Sequence, residues 1–298
     1  MKKSAVMLTA TLTVVFLLPS SVLGKGPRTV KEYEEAVRKA VYSKTRIHPE
    51  VKLVEESPGI YSLFAKINEA GLTFDDFYEG VIANVRPLCF KRRNSLGIQV
   101  RHIYFVFQNN LLFLTRKALL RADQIISSHK GRKIEDIPLP DKAELFNLEE
   151  YLFPPDLNLA MYWDPATKTA VEAIQNAYTK EKIPSVAYAY KENDPPTYIF
   201  CITLLTDPWS SIEQAFKFLA PGAVTTAVLR RDRKLQISDL LLFDGVHLIW
   251  LSETSLRKIE ATIGSKGTTD KGWFHRRLRH RLCRQVLPIL RDYARVIF

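Results

Sequence analysis

The sequence has 298 residues and a formal net charge of +11, with 43 Lys and Arg residues against 32 Asp and Glu residues. Hydrophobic residues make up 46% and charged residues 25% of the chain, a balance that is typical of globular proteins and excludes a wholly disordered one. The basic excess favours anionic partners such as nucleic acid or anionic lipid, or else it forms a solvated surface without a specific partner.

Residues 1–24 have the pattern of a cleavable secretory signal. Lys2 and Lys3 form a short positive segment, an uncharged run follows over 5–18, and Val22-Leu23-Gly24 offers small residues at the expected cleavage site. The run is shorter than the ~20 residues that span a bilayer comfortably, and the alternative is an uncleaved anchor. Since later apolar runs are short or interrupted, we expect no transmembrane span after the signal. The sequence therefore predicts an exported bacterial protein, periplasmic or secreted.

Residues 25–131 are predicted to be a mostly helical N-terminal region. Its first helix, over 29–45, begins with a capping box in which Thr29 and Glu32 each bind a free backbone amide. Two further helices are expected over 58–70 and 73–84, because the first stops at a glycine and the second before a proline.

The stretch that follows, 97–115, leaves two structures open. It reads either as two strands that turn at Asn109-Asn110 or as one long apolar helix, and periodicity does not separate a buried strand from a buried helix. Residues 116–128 have the pattern of a helix.

Prolines and glutamates punctuate residues 132–156, which we interpret as a linker to an α/β domain over 157–298. Asp244-Gly245 between two apolar runs predicts a β-hairpin, because both turn residues need positive φ. Strands separated by helices favour a partly parallel sheet, so the predicted fold class is mixed α/β. The expected strands are 157–163, 186–190, 197–205 and 223–229, and the expected helices are 165–182, 208–219 and 254–263.

Three aspartates are the catalytic candidates: Asp164, Asp207 and Asp244. Asp164 and Asp207 each precede a proline after a predicted strand, and open α/β sheets bind ligands beyond the carboxyl ends of their strands. Two carboxylates at one rim would serve acid–base chemistry or hold a cation. The alternative is that both simply cap the helices that follow, since Asp is a favoured cap and Pro a favoured first helical residue.

The remaining motifs predict no cofactor, no nucleotide and no metal site. The histidines lack the spacing of metal ligands on a helix, and no phosphate-binding glycine loop occurs. Cys89, Cys201 and Cys283 are too far apart for a dithiol or zinc motif, and Cys201 lies in an apolar run. Whether any two of them form a disulfide in the exported protein is left open.

The order of segments from 186 to 245 resembles half of a phospholipase D-type domain. That family carries a His-x-Lys-x-x-x-x-Asp motif at the hairpin, where Asp244 would be the aspartate and Ile237 and Asp239 occupy the histidine and lysine positions. The resemblance implies a related fold without the nucleophile or its activity. The same segments also resemble a thioredoxin-type fold, as in exported assembly factors of conjugation systems. Its redox pair would fall near 206–209, where this chain has no cysteine.

The segment from 273 to 284 is densely basic. Phe274, Leu278, Leu282 and Val286 form an apolar stripe along a helix predicted over about 272–297. A basic amphipathic helix suits a membrane surface or another anionic partner, and the alternative is a terminal helix that packs on the protein's own core. The arginines predicted to dock are Arg276, Arg277, Arg279, Arg281 and Arg284.

Together these features predict a non-enzymatic protein of the cell envelope, a binding or assembly protein. It would dock through this basic face on membrane lipid, on nucleic acid or on an envelope protein. The rival prediction is a secreted hydrolase of an anionic, phosphodiester-type substrate, which requires aspartates that meet other titratable groups in one cleft.

Overall fold

The computed structural model describes residues 29–67, 85–89, 98–107, 110–129, 164–193, 196–264 and 276–298. The predicted signal over 1–24, the linker over 132–156, the helix over 73–84 and the strand over 157–163 lie outside these ranges. Within them the fold is mixed α and β, as the sequence predicts, with two sheets and six α-helices. None of the helices in the described part of the chain is long and apolar enough to cross a bilayer.

In the N-terminal half, one helix precedes and one helix follows the strands of a four-stranded sheet, here called the N-terminal sheet. Thr29 caps the first helix, because its side-chain oxygen accepts a hydrogen bond from the backbone N–H of Glu32 at 3.1 Å. The elements are α1 (Val30–Thr45), β1 (Glu50–Ser57), β2 (Ile60–Ile67), β3 (Gln99–Phe107), β4 (Asn110–Thr115) and α2 (Arg116–Ser128). The ambiguous stretch 97–115 is therefore the pair of strands, not the long helix.

The prediction of a helix over 58–70 is wrong. Gly59 turns the chain with a φ of +77°, and strand β2 follows it. Strand β2 pairs with β1 on one side and β3 on the other, and residues on both of its faces are buried. A strand covered on both faces needs apolar residues without alternation, which is why its sequence mimics a buried helix.

The C-terminal half contains a five-stranded sheet, the C-terminal sheet, covered by four helices. The predicted hairpin is confirmed, but its loop spans 244–247, and of the two expected turn residues Gly245 has a positive φ whereas Asp244 does not. The helices over 165–182 and 254–263 are confirmed within a residue or two. The elements are α3 (Pro165–Glu181), β5 (Ser185–Asn193), β6 (Pro196–Leu204), α4 (Ile212–Arg233), β7 (Ile237–Phe243), β8 (Leu248–Ser252), α5 (Glu253–Ile263), α6 (Arg276–Tyr293) and β9 (Arg295–Val296).

The predicted helix over 208–219 and strand over 223–229 are one continuous helix, α4, which runs through Pro221. Residues 219–227 are all buried, so this stretch of the helix lacks the exposed face that normally reveals helical periodicity. Both family resemblances depend on a strand at this place, and that part of their element order is wrong.

Both sheets repeat one ladder pattern: their first four strands pair antiparallel, parallel and antiparallel in chain order. Each parallel pair has a register shift at the same point, between Tyr61 and Ser62 in the N-terminal sheet and between Tyr198 and Ile199 in the C-terminal sheet. His102 and Asp239 are the first residues paired after these shifts. They therefore occupy equivalent positions in the two halves.

The two sheets pack against each other through one apolar interface. Phe64 stacks on Tyr104 with ring centroids 4.8 Å apart and meets Trp250 edge-on at 5.5 Å. Leu241 and Phe243 of the C-terminal sheet belong to the same buried cluster. Separate cores lie on the outer faces, one under α1 and α2 and the other under α3, α4, α5 and α6. The interface makes the two halves neighbours at the position of His102 and Asp239.

Candidate functional site

The three candidate aspartates do not meet. Asp164 caps α3 through the backbone N–H of Thr167 at 2.8 Å and accepts a hydrogen bond from Lys191. The contact with Lys191 and the cap bond lower the pKa of Asp164 to about 2. Asp207 is exposed and caps nothing, because α4 begins five residues later, at Ile212, with Ser211 as its cap. The predicted equivalence of the two Asp-Pro corners is therefore wrong.

Asp244 is buried and holds the β7–β8 turn. One of its oxygens accepts the backbone N–H groups of Val246 and His247, at 2.9 and 2.6 Å. The other accepts the N–H of Trp209 at 3.0 Å and lies 3.0 Å from Nδ1 of His247. Burial raises the pKa of Asp244, but these hydrogen bonds outweigh it and hold the pKa below its ordinary value. All of these contacts of Asp244 hold the chain in place around the β7–β8 turn.

The basic C-terminal helix packs on the protein's own core. Leu282, Val286 and Leu290 are buried against the outer core of the C-terminal half, so the predicted apolar stripe faces inward. Arg279 also points inward, is 3% exposed and pairs with Glu181 at the end of α3. Its predicted docking role is therefore corrected to an anchoring one, since burial against a carboxylate removes it from any partner.

Arg281 and Arg284 of the same helix are exposed. Arg276 and Arg277 form its first turn, and their side chains lie outside the described part of the structure. The five arginines of the sequence pattern thus fall into three groups: one buried anchor, two exposed charges and two whose side chains are not described.

A cavity of about 550 Å³ lies beside this exposed face, between the end of α3, α4 and α6. Apolar groups form much of its wall. Three basic side chains, Lys217, His280 and Arg284, share the lining with the carboxylate of Glu181 and the thiol of Cys283. Lys180, on the last turn of α3, has a pKa lowered by partial burial and by the positive charge of Arg279. The apolar lining residues are Ile183, Phe218, Ala220, Pro221 and Leu287.

A cluster of polar side chains, which the sequence did not predict, lies largely buried between the two sheets. We call Glu56, Arg101, His102 and Asp239 the intersheet cluster. Nδ1 of His102 lies 3.6 Å from Oδ2 of Asp239, and Nη1 of Arg101 donates to Oε2 of Glu56 at 3.2 Å. The ligating atoms of Glu56, His102 and Asp239 all lie within 4.8 Å of one another, a spacing compatible with ligands of one metal ion.

Each carboxylate of the intersheet cluster is held by neighbours. Asp239 accepts from the indole N–H of Trp250 at 2.6 Å and from the hydroxyl of Ser238 at 2.6 Å. Glu56 accepts from the hydroxyl of Ser62. Burial, and then the charge of Asp239, raise the pKa of Glu56 above its ordinary value. The carboxylates of Glu56 and Asp239 are therefore close together in a largely buried site, with Arg101 as the neighbouring guanidinium.

Comparisons with protein-family models, with curated proteins and with solved structures give no match for this chain. The two resemblances drawn from element order therefore have no support beyond that order. Asp239, which occupies the lysine position of the phospholipase D-type pattern, lies in the intersheet cluster, whereas Asp244 only holds its turn.

All three cysteines are free thiols: Cys89 and Cys201 are buried and Cys283 is half-buried. Cys89 belongs to the core under α1, Cys201 to the intersheet interface, and Cys283 packs against the core under α6. The disulfide that the sequence left open is therefore not formed in this structure.

Proposed function

We propose that this protein is an exported, non-enzymatic binding protein of the cell envelope that docks on an anionic membrane through the face of α6. The observation that carries the proposal is the cavity beside that helix, which combines an apolar wall with Lys217, His280 and Arg284. One carboxylate, Glu181, also lines the cavity, and it is already paired with Arg279. Exposed Arg281 adds a further positive charge nearby on the same helix.

Charge and polarity together favour lipid over the other anionic partners. Clustered basic side chains attract an anionic membrane by about 1 kcal/mol each near its surface. An apolar hollow beside them accommodates part of an acyl chain or the glycerol region of a lipid. Nucleic acid instead calls for aromatic platforms or a row of phosphate contacts. Among the described residues that line this cavity, Phe218 is the single Phe, Tyr or Trp side chain.

The rival hydrolase has less support. It requires Asp164, Asp207 or Asp244 to converge with other titratable groups in one cleft. Instead, Asp164 and Asp244 hold local structure through backbone hydrogen bonds, and Asp207 is exposed. We therefore retain the docking function.

The test is vesicle binding by the mature protein, with a triple variant that removes the exposed charges: Lys217→Gln, Arg281→Gln and Arg284→Gln. Arg279 stays, because its contact with Glu181 is structural. Vesicles with and without phosphatidylglycerol are compared in co-sedimentation. We expect binding to the anionic vesicles only. The triple variant should bind roughly 100-fold more weakly, since three charges contribute about 3 kcal/mol.

Salt and a matched control sharpen this test. Binding should fall strongly between about 0.1 and 1 M salt, where the Debye length shrinks from about 10 to about 3 Å. The control removes three exposed charges from the N-terminal half (Lys39→Gln, Arg46→Gln and Lys52→Gln) and should bind as the unaltered protein does. Equal binding by both triple variants would reject the α6 face, and binding to oligonucleotides but not to vesicles would reject the membrane as partner.

A further inference from the structure

The intersheet cluster takes no part in the docking surface, and its residues come from three separate strands. Glu56 is in β1, His102 in β3 and Asp239 in β7, so the cluster joins the N-terminal and C-terminal sheets. Three ligand-type side chains converge here from distant parts of the chain, with their ligating atoms within 4.8 Å of one another. Local structure such as a cap or a turn requires no such convergence.

The charge balance of the cluster favours a cation. Two carboxylates face one guanidinium, and His102 and Asp239 are each no more than 1% exposed. A buried charge without compensation is strongly unfavourable, and a dication bound between carboxylates is the largest local charge that could offset it. The apolar interface around the cluster, formed by residues such as Phe64 and Leu241, supplies no counter-charge.

The chemistry of the three ligands limits which metal ions the cluster could bind. One imidazole nitrogen and two carboxylates are ligands that Zn²⁺, Mn²⁺ and Fe²⁺ accept, whereas Ca²⁺ and Mg²⁺ prefer oxygen donors alone. No cysteine contributes, so a soft ion such as Cu⁺ fits poorly.

The neighbours of the carboxylates match what a metal site needs around its ligands. Metal-binding carboxylates are themselves held by hydrogen bonds, which fix their orientation. Trp250 and Ser238 each donate to a different oxygen of Asp239, and Ser62 and Arg101 do the same for Glu56. An ionised carboxylate has about four acceptor sites, so lone pairs remain on both side chains for an ion.

We propose that Glu56, His102 and Asp239 bind a transition-metal dication that clamps the two sheets together. The ion has a structural role, because His102 and Asp239 are too deeply buried to meet a substrate. The binding free energy of such an ion adds to the stability of the folded chain, because the unfolded chain does not hold the three ligands together.

The experiment titrates Zn²⁺ into the full mature protein after treatment with EDTA, and follows heat of binding and thermal unfolding. We expect one equivalent to bind and the Tm to rise by about 5–10 °C when Zn²⁺ is present at about 100 times its Kd. Mn²⁺ serves as the second probe. Absence of both stoichiometric binding and a Tm rise with either ion would overturn the metal site.

Variants localise the ion. Asp239→Asn and Glu56→Gln keep the shape of the side chains but remove ligand charge, and each should abolish the Tm rise caused by Zn²⁺. Ser238→Ala leaves all three ligands in place and removes one supporting hydrogen bond, so it should weaken binding about 10-fold or more. It also keeps the test informative if the Asp239 variant does not fold.

The matched control is Asp244→Asn, which alters a buried carboxylate beside a histidine that has no third ligand-type neighbour in the described residues. This variant should lose stability yet keep the full Zn²⁺ response. If Zn²⁺ raised the Tm of Asp239→Asn as much as that of the unaltered protein, the ion would bind elsewhere and the proposal would be wrong.

Discussion

Asp164 and Asp207 show what a dipeptide can and cannot predict about a single residue. Both precede a proline, but only Asp164 lies at the start of a helix, where its side chain accepts the N–H of Thr167. A cap is a local interaction, so the sequence predicts its possibility well. Which of two similar dipeptides becomes a cap depends on where the helix begins, and here Ser211 provides the better start for α4.

Asp164→Ala should therefore lower the free energy of unfolding by about 0.5–2 kcal/mol, the usual contribution of a cap. Asp207→Ala is the matched control and should change it by no more than about 0.5 kcal/mol, because the residue is exposed and caps nothing. Urea denaturation at neutral pH measures both. A larger loss in the Asp207 variant would contradict the assignment.

Glu56 should give the unfolding free energy a measurable pH dependence in the metal-free protein. Its folded-state pKa is raised by burial and by Asp239, so the folded chain holds the proton more tightly than the unfolded chain does. Stability must then fall as the pH rises from about 4.5, the ordinary value for Glu, through the raised value. Glu56→Gln should flatten this part of the profile, as followed by urea denaturation at several pH values with EDTA present.

The same profile in the Asp164→Asn variant serves as the comparison. The pKa of Asp164 is lowered, so its contribution is present above its ordinary value of 3.8 and is lost as the pH falls towards about 2. That variant should change only the acid limb and leave the slope above pH 4.5 intact. An unchanged slope in Glu56→Gln would show that Glu56 does not carry it.

At the scale of the element, the sequence predicted best the segments whose ends carry local signals. Helix α1 has its cap, α3 its Asp-Pro start, and the β7–β8 hairpin its Asp-Gly turn with Gly245 at a φ of +90°. The errors fall on β2, which is buried on both faces, and on the middle of α4, where residues 219–227 are all buried. Burial on every face removes the periodicity that distinguishes the two structures, so tertiary packing decides between them.

Gly222 explains how the central helix α4 fits so closely against its neighbours. A Cβ at this position would lie 2.7 Å from Cδ1 of Ile202 and 2.8 Å from the hydroxyl oxygen of Tyr178. Gly222→Ala should thus destabilise the protein by about 1–3 kcal/mol through overpacking, although Ala gains up to about 1 kcal/mol in helix propensity.

Ile202→Val removes the Cδ1 atom that the new Cβ would meet. Alone it should cost about 0.5–1.5 kcal/mol, but in the Gly222→Ala background it should cost less or even stabilise. A double-mutant cycle from urea denaturation measures this coupling. Strict additivity of the two substitutions would show that Ile202 and position 222 do not compete for space.

At the scale of the whole molecule, the sequence could not predict the intersheet cluster. Glu56, His102 and Asp239 are far apart in the chain, and they meet only because two sheets with the same ladder pattern pack face to face. The sequence predicted the basic helix α6 correctly, but it did not predict which of its arginines is buried. Leu282 and Val286 fix the buried side, and Arg279 pairs with Glu181 at its edge.

The packing of the two sheets has a consequence for unfolding. Phe64 belongs to the N-terminal sheet and is fully buried. It stacks on Tyr104 of the neighbouring strand β3 and contacts Trp250 of β8 across the interface. If this interface holds the halves together, they should unfold as one unit, and damage at Phe64 should weaken both. Phe64→Ala should lower the global free energy of unfolding by about 3–5 kcal/mol.

The three free thiols report on the three cores separately. Cys89 lies under α1, Cys201 in the interface, and Cys283 under α6, where burial and the charge of Glu181 raise its pKa to about 12. Such thiols react slowly until the surrounding core opens.

Pulsed alkylation over a urea series, read by mass spectrometry for each cysteine, gives an unfolding midpoint for each core. All three midpoints should coincide and should fall together in Phe64→Ala, while the exposed-site control Val30→Ala leaves them unchanged. A shift at Cys89 and Cys201 without one at Cys283 would mean that the C-terminal half folds independently, because its outer core would then remain closed after the interface had opened.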